Sequence, residues 1–437
     1  MTIVIRGATD PTTPDSGPVD IVVDAGVIAA LTASGNNPAV NATDAQVVDA
    51  RNCLVMPAFV DLHTHLREPG RTHAEDTATA SAAAAAGGYS AVFAMANTEP
   101  VADCPDVVEQ VAARGAEVGL VEVRPVGAIT SGLAGTELSQ MEAMAASTAA
   151  VRVFSDDGHC VNNAALMREA LQLAAAHGWV IAQHAQEATM TGAAQMNEGH
   201  VSRQLGLPGW PGVAEAVVIA RDVLLAADTG AHLHVCHVST AASVDVIAWA
   251  KSRGINVTAE VAPHHLLLTD ELATTGDAVY KVNPPLRSAH DVSAVRSALA
   301  EGVIDAVATD HAPHAADAKC CGWTEAAMGM LGLQTSFAVV AEVMVASGLM
   351  TWADLATRMS VTPARIGGLA HHGQAIAPGA PANIVVVDPD AVWTVEPELL
   401  ESKSSNTPFA NRPMHGRVLA TLHNGLLTYH NGKVATR

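Results

Sequence analysis

Aromatic side chains are scarce in this chain: five Phe, six Trp and three Tyr among 437 residues. Hydrophobic residues still make up 49%. The core must therefore be built mainly from Ala, Val, Leu and Ile, which suits helices packed closely on a sheet. Positive charge is scarce too. Lys and Arg total 23 against 44 Asp and Glu, a formal net charge of −21, which argues against nucleic acid or an anionic membrane as the main partner. An anionic small molecule would need a local positive pocket set against that field. No apolar run approaches ~20 residues, and MTIVIRGATD has no apolar signal region. The expectation is a soluble, cytoplasmic protein. Cysteines are few and irregularly spaced (Cys53, Cys104, Cys160, Cys236, Cys320, Cys321), with no CxxC. They read as free thiols in a reducing compartment, and the adjacent Cys320-Cys321 pair as a loop feature without a role.

What is present has a clear order. The length suits a large barrel plus an accessory module. Residues 2–56 read as short β segments, and so does the stretch after Pro378-Gly379-Ala380-Pro381. Between these flanks, short apolar strands alternate with Ala-rich helices. Strand candidates are 54–60, 90–95, 122–128, 151–154, 180–183, 232–237, 256–261 and 306–309. Helix candidates include 77–86, 104–114, 163–177, 211–227, 239–253, 292–301 and 335–347. Strand–helix alternation with eight strands predicts an α/β protein with a (β/α)8 TIM barrel. The two flanks would combine into one small β module.

The ionisable residues collect where these strands end. DLHTHLREPG (61–70) follows the first, and places His63 and His65 on one side of an extended chain. Asp156 and Asp157 follow the fourth strand. His184 ends the fifth and His237 the sixth. His264 and His265 follow the seventh. Asp310, His311 and His314 follow the eighth. In a barrel these ends meet over one mouth. Histidine and aspartate converging there have the wrong composition for a packed core and the right one for one or two metal ions, zinc being suited to paired neutral imidazoles. Asp156 and Asp157 are rivals for a place in that site. His232 and His234 read as core or hydrogen-bonded histidines, and His371 and His372 as surface. Lys319, in the loop after His314, is a candidate substrate contact.

These motifs together resemble the metal-dependent amidohydrolase superfamily, and within it the class I bacterial dihydroorotases. The resemblance covers essentially the whole chain. It is carried by Asp61–Gly70, Met95-Ala96-Asn97-Thr98, Phe154-Ser155-Asp156-Asp157-Gly158, Gln183-His184, Cys236-His237-Val238-Ser239, Glu260-Val261-Ala262-Pro263-His264-His265-Leu266, Lys281-Val282-Asn283-Pro284-Pro285-Leu286-Arg287 and Ala308-Thr309-Asp310-His311-Ala312-Pro313-His314. Two departures stand out: Ala96 where the family commonly has proline, and Met328 and Gln334 where many relatives have Phe and Glu.

The resemblance implies a distorted (β/α)8 barrel over residues 58–372 and a small β-sandwich formed from 1–57 and 373–437. It implies one or two zinc ions, with His63, His65, Asp157 and Asp310 on one, His184 and His237 on the other, and Asp157 between them. Residues 150–160 contain no lysine, which fits an Asp bridge and disfavours hydantoinase-type relatives. It further implies substrate contacts from His65, Arg67, Asn97, Asn283, His314, Met328 and Gly329, with Arg67 matching a carboxylate bidentately. Taken alone, Arg67 reads equally well as a surface ion pair with Glu68 or Asp61. The implied reaction is the reversible closure of N-carbamoyl-L-aspartate to L-dihydroorotate in pyrimidine synthesis, with Asp310 as the proton carrier. A homo-oligomer, or a complex with aspartate transcarbamoylase, is compatible with it. The alternatives are another cyclic amidase (allantoinase or dihydropyrimidinase type), disfavoured by Arg67 with Asn97, and a non-catalytic partner of the transcarbamoylase, disfavoured because every ligand position is filled.

Overall fold

A computed structural model describes residues 2–13, 17–35 and 45–435. The first four strands, β1 (Ile3–Ala8), β2 (Val19–Asp24), β3 (Val27–Ala33) and β4 (Gln46–Asp49), form a sheet in the order β3-β2-β1-β4. The next strand, β5 (Leu54–Pro57), belongs with the far end of the chain. It pairs antiparallel with residues 384–387, Met56 facing Val385. The expected strand 54–60 is thus divided. Ala58 N donates to Asn383 O, Phe59 N donates to Gly88 O, and at that point the chain changes sheet. Both halves of the run are buried, so an uninterrupted apolar stretch carries no mark of the change.

From Phe59 onward the strands pair in parallel. β6 (Phe59–Thr64), β7 (Tyr89–Ala94) and β8 (Glu122–Pro125) form one sheet. Next come β9 (Val153–Phe154) and β10 (Val180–Gln183), a short separate pair β11 (Met196–Asn197) and β12 (Gly209–Trp210), then β13 (His232–Val235), β14 (Val257–Val261) and β15 (Ala306–Val307). These make a second sheet, β15-β14-β13-β10-β9. Two parallel bridges join the sheets: Gly127 with Phe154, and Thr64 with His311. The pairing therefore runs from β6 to β15 and back to β6.

Helices lie between these strands. Thr77–Ala86 appears where the sequence puts it, and Asp76 caps it by accepting from Ala78 N and Thr79 N. Residues 164–177, 213–229, 241–252 and 289–301 match their expected helices to within a few residues. The expected helix 335–347 begins as Ser336–Val340 and widens into a π turn at Ala341–Val345. Alanine dominates the buried layer between helices and strands, with Ala80, Ala83, Ala84 and Ala174 fully enclosed. Within the ring of strands Val60, Leu62, Phe93, Val126 and Ala182 meet Ile366 and Leu369. Burial of each large aliphatic side chain contributes roughly 1.5–3 kcal/mol.

The last strands, β16 (Ile384–Thr394), β17 (Pro413–His423), β18 (Leu426–His430) and β19 (Lys433–Val434), add to β5 in the order β19-β18-β17-β16-β5. Ile3, Ile5 and Ile21 from the first sheet share one buried cluster with Val55, Ile384 and Leu422 from this one. The two ends of the chain thus share a core. All six cysteines are free. Among the described residues no helix is long and apolar enough to cross a membrane.

Candidate metal centre and active site

The six expected ligands are all buried and lie at the same ends of the parallel strands. Asp157 is the centre of the group. Its Oδ1 lies 3.1 Å from His63 Nε2, 3.3 Å from His184 Nδ1 and 3.5 Å from His237 Nε2. Its Oδ2 lies 3.4 Å from His65 Nε2. Asp310 Oδ1 sits 3.2 Å from His65 Nε2 and 3.7 Å from His63 Nε2. Two overlapping sets, His63/His65/Asp157 and Asp157/His184/His237, each bring their ligand atoms within 4.8 Å of one another. Asp156 is turned away. It accepts from the backbone N–H groups of Ile129 and Thr130 and from the Thr130 hydroxyl. Of the two rivals, only Asp157 reaches the histidines.

The outer ring nitrogens fix the inner ones. Glu260 Oε1 accepts from His63 Nδ1 at 2.8 Å, Asn97 Oδ1 from His65 Nδ1 at 3.0 Å, and Gln186 Oε1 from His184 Nε2 at 2.9 Å. Each acceptor holds the proton on the far nitrogen and turns the inner one into the cluster, His63 toward Asp157, His65 toward Asp310 and Asp157, and His184 toward His237 Nε2 at 2.9 Å and Asp157. His63 Nε2 is buried and makes no hydrogen bond despite its closeness to Asp157. Lone pairs and carboxylate oxygens packed this tightly repel one another unless a cation lies between them. Burial alone would push His63 down, but the Asp157 carboxylate together with Cys236 and Glu260 outweighs it and holds the ring well above its ordinary range. This is a pocket for positive charge, and the donor set fits a divalent metal of the zinc type.

Glu260 and Gln186 are residues to which sequence reasoning gave no role. Glu260 is the more telling of the two. It lies in β14, fully buried, and also holds His234 Nε2 at 3.0 Å. Burial pushes its carboxyl up, but His234 and His63 prevail and hold it at about 2. A carboxylate inside the apolar strand Val257-Thr258-Ala259-Glu260-Val261 was the signal available in the sequence.

Arg67, His65, Asn97, Asn283, His314, Met328 and Gly329 all line one cavity of about 200 Å³, whose wall also includes Asp157, His184 and Asp310. Arg67 is buried and makes no ion pair with Glu68 or Asp61. Glu68 accepts from Thr77 N, and Asp61 accepts from His63 N and Thr309 N. Arg67 Nε donates to the Pro313 carbonyl at 3.1 Å, and among the described residues no carboxylate pairs with it. Burial pushes its guanidinium down to about 10, so it remains charged at neutral pH. A buried cation without a carboxylate partner calls for an anionic ligand. His314 donates from Nε2 to the Met328 carbonyl, and burial together with Arg67 pushes it down to about 3. It is a neutral imidazole.

Other expectations change. Lys319 does not line the cavity. Its Nζ donates to the carbonyls of Ala278, Lys281 and Ala327, fastening the loop. His372 is buried between Ser90 and Glu122 instead of lying on the surface, while His371 is exposed. His264 and His265 are buried beside each other, with ring centroids 4.4 Å apart. His265 Nε2 donates to Pro284 O.

The chain is similar to known proteins along nearly its whole length. Residues 52–243 match the family model described as dihydro-orotase-like. The chain is 54% identical to a dihydroorotase of Streptomyces coelicolor, over 95% of this chain and 96% of that one. It is 52% identical to a dihydroorotase of Mycobacterium tuberculosis, over 99% and 100%. With a dihydroorotase of Leifsonia xyli it shares 56% over 90% of each. Among solved structures, the L-hydantoinase (dihydropyrimidinase) of Arthrobacter aurescens superposes with a TM-score of 0.87 at 25% identity, covering 99% of this chain and 97% of that one. The dihydropyrimidinase of Brevibacillus agri is similar in fold at 22% identity, with a TM-score of 0.83 and coverage of 99% and 96%. With its buried His/Asp cluster, its unpaired arginine and these full-length relatives, the chain belongs to the dihydroorotases of the amidohydrolase superfamily, hydrolases that act on cyclic amides.

Proposed function

We propose that this cavity catalyses the reversible closure of N-carbamoyl-L-aspartate to L-dihydroorotate, using zinc held by His63, His65, Asp157 and Asp310 and by His184 and His237, with Asp157 shared. The observation that carries the metal assignment is the orientation of His63, His65 and His184: each has its outer nitrogen committed to an acceptor. A divalent ion bound there supplies a Lewis acid for the ring carbonyl and makes water nucleophilic near neutral pH. Arg67 holds the substrate carboxylate. That contact fixes the ring in the cavity, with Asn97, His314 and the backbone at Met328 and Gly329 around it and Asn283 at the ring edge. In hydrolysis Asp310 takes the proton from the attacking water and delivers it to the leaving ring nitrogen. In closure it removes that proton from the carbamoyl nitrogen and returns it to the departing oxygen. A carboxylate held among histidines suits both directions.

The parallel strand ring reads as a distorted (β/α)8 barrel over residues 58–372. The two terminal sheets, 1–57 and 373–437, read as a β-sandwich; their shared apolar cluster supports this. A dihydropyrimidinase-like preference is the competing reading, favoured by the fold of the solved relatives. Arg67 argues against it, since a ring without a carboxylate leaves that guanidinium unpaired. The test of the metal reading is elemental analysis of the purified protein. Two zinc per chain is expected in wild type and at most one in Asp157→Asn. Full metal content in Asp157→Asn would refute the shared ligand.

A further inference from the structure

The expected site residues end at Met328 and Gly329, yet the cavity wall depends on a side chain about 80 positions further along. Asn406 lies in the segment between β16 and β17, outside the strand ring, and is buried. Its amide makes three bonds, all to backbone. Nδ2 donates to Ala312 O at 3.0 Å and to Gly329 O at 3.2 Å, and Oδ1 accepts from His314 N at 3.1 Å. Its own carbonyl accepts from Leu331 N at 3.1 Å. Ala312, His314 and Gly329 all line the cavity. The first two flank Pro313, whose carbonyl is the acceptor for Arg67 Nε.

We propose that Asn406 is a positioning residue for substrate binding, which acts through Pro313 to set Arg67 against the substrate carboxylate. The inference rests on the assignment of Arg67 to that carboxylate. The geometry suits the task. Asn406 spans two wall segments, its amide bonding Ala312, His314 and Gly329 and its backbone carbonyl Leu331, and holds Pro313 from both sides, so the Arg67 acceptor cannot shift alone. Neighbouring residues anchor the segment. Ser402 Oγ and Lys403 N donate to the buried Glu75, Lys403 Nζ reaches Asp76 Oδ2 at 2.9 Å, and Ser404 Oγ donates to Ala74 O at 2.6 Å. Residues 402–406 therefore tie the loop after β6, which carries Arg67, to the loop after β15, which carries His314. Asn406 touches neither the metal ligands nor the cavity itself, so its loss should appear in substrate affinity and not in the chemical step.

The test is steady-state kinetics on L-dihydroorotate for Asn406→Ala and Asn406→Asp, each made in the wild-type and Arg67→Ala backgrounds, with metal content and melting temperature recorded. Asn406→Asp keeps the acceptor for His314 N but sets a carboxylate oxygen against two carbonyls, and it preserves side-chain shape if the alanine variant folds poorly. The expected result is a KM raised about tenfold, the scale of one or two lost hydrogen bonds. The kcat should stay within about threefold and metal content should be unchanged. In the Arg67→Ala background the KM effect should shrink below about threefold, because coupled residues are not additive. An equal KM effect in both backgrounds, or a fall in kcat with KM unchanged, would overturn the proposal. If Arg67→Ala alone leaves KM unchanged, the assignment of Arg67 fails first, and the route through Pro313 fails with it.

Discussion

Asp310, Glu260 and Gly329 act at three different levels of one small site. Asp310 is the proposed proton carrier, and Asp310→Asn should cost about 10²–10⁴-fold in kcat, measured at equal metal occupancy so that loss of a ligand is separated from loss of the carrier. Glu260→Gln leaves the metal ligands intact but weakens the hold on His63 Nδ1. Metal affinity should fall about 10–100-fold, read by competition with a chelating dye; unchanged affinity would mean that Glu260 serves His234 alone. At Gly329 the backbone has φ +152, and an added Cβ would lie 2.7 Å from His314 Nε2 and 2.8 Å from Ala312 Cβ. Gly329→Ala should therefore raise KM with little change in metal content. Much at this scale was legible in the sequence. Histidines and aspartates at strand ends have few structural reasons to be there. Asp157 over Asp156 was not legible from local residues, because adjacent carboxylates differ only in which side of the chain they take, and the Ile129 and Thr130 amides that claim Asp156 come from another strand–loop junction. Asn406 left no signal, since its partners are backbone groups from remote loops.

The strand–helix units set where those residues point, and here pattern reading was strong for helices and weaker at strand ends. Helix 77–86 was readable from its alanine run. The strand 54–60 was not divisible by pattern, because neither half faces water. The loop carrying Lys319 shows a different limit: a lone lysine near an active site reads as a ligand contact, but here its donors serve three carbonyls. Burial pushes Lys319 from 10.5 down to about 7. When the loop opens, the amine returns to water and its ordinary value, so the open form binds the proton more tightly between about pH 7 and 10.5. Opening should thus be suppressed as pH rises across that interval, by at most about tenfold per pH unit. Hydrogen exchange of residues 315–326 at pH 7 and pH 9, corrected for intrinsic rates, would read this. Lys319→Met should show no such dependence, and a flat wild-type response would contradict the lowered Lys319 value. Helix 105–118 offers a packing test. A Cβ at Gly115 would lie 2.4 Å from Val123 Cβ in β8, so Gly115→Ala should destabilise by about 1–3 kcal/mol in denaturant unfolding.

Across the whole molecule, the ends of the chain meet. Ile384 of β16 packs with Ile3, Ile5 and Ile21 of the first sheet, and residues 402–406 run from the same region to the loops around the site. Ile384→Ala should cost about 2–5 kcal/mol by denaturant unfolding, although it lies far from the cavity in sequence. The β character of both flanks was readable from short apolar runs and turn residues; that β5 crosses to pair with β16 was not, because register between distant strands is set by tertiary packing. The strongly acidic composition places the burden of binding an anionic substrate on a few local groups, Arg67 and the metal cluster. The most direct test of this account is the kcat/KM of metal-replete protein on L-dihydroorotate beside dihydrouracil, the same ring without its carboxylate, with Asp310→Asn as control. The account predicts turnover of dihydroorotate, at least about 10²-fold preference over dihydrouracil, and loss of that turnover in the variant. Preference for dihydrouracil, or full activity in Asp310→Asn, would contradict it.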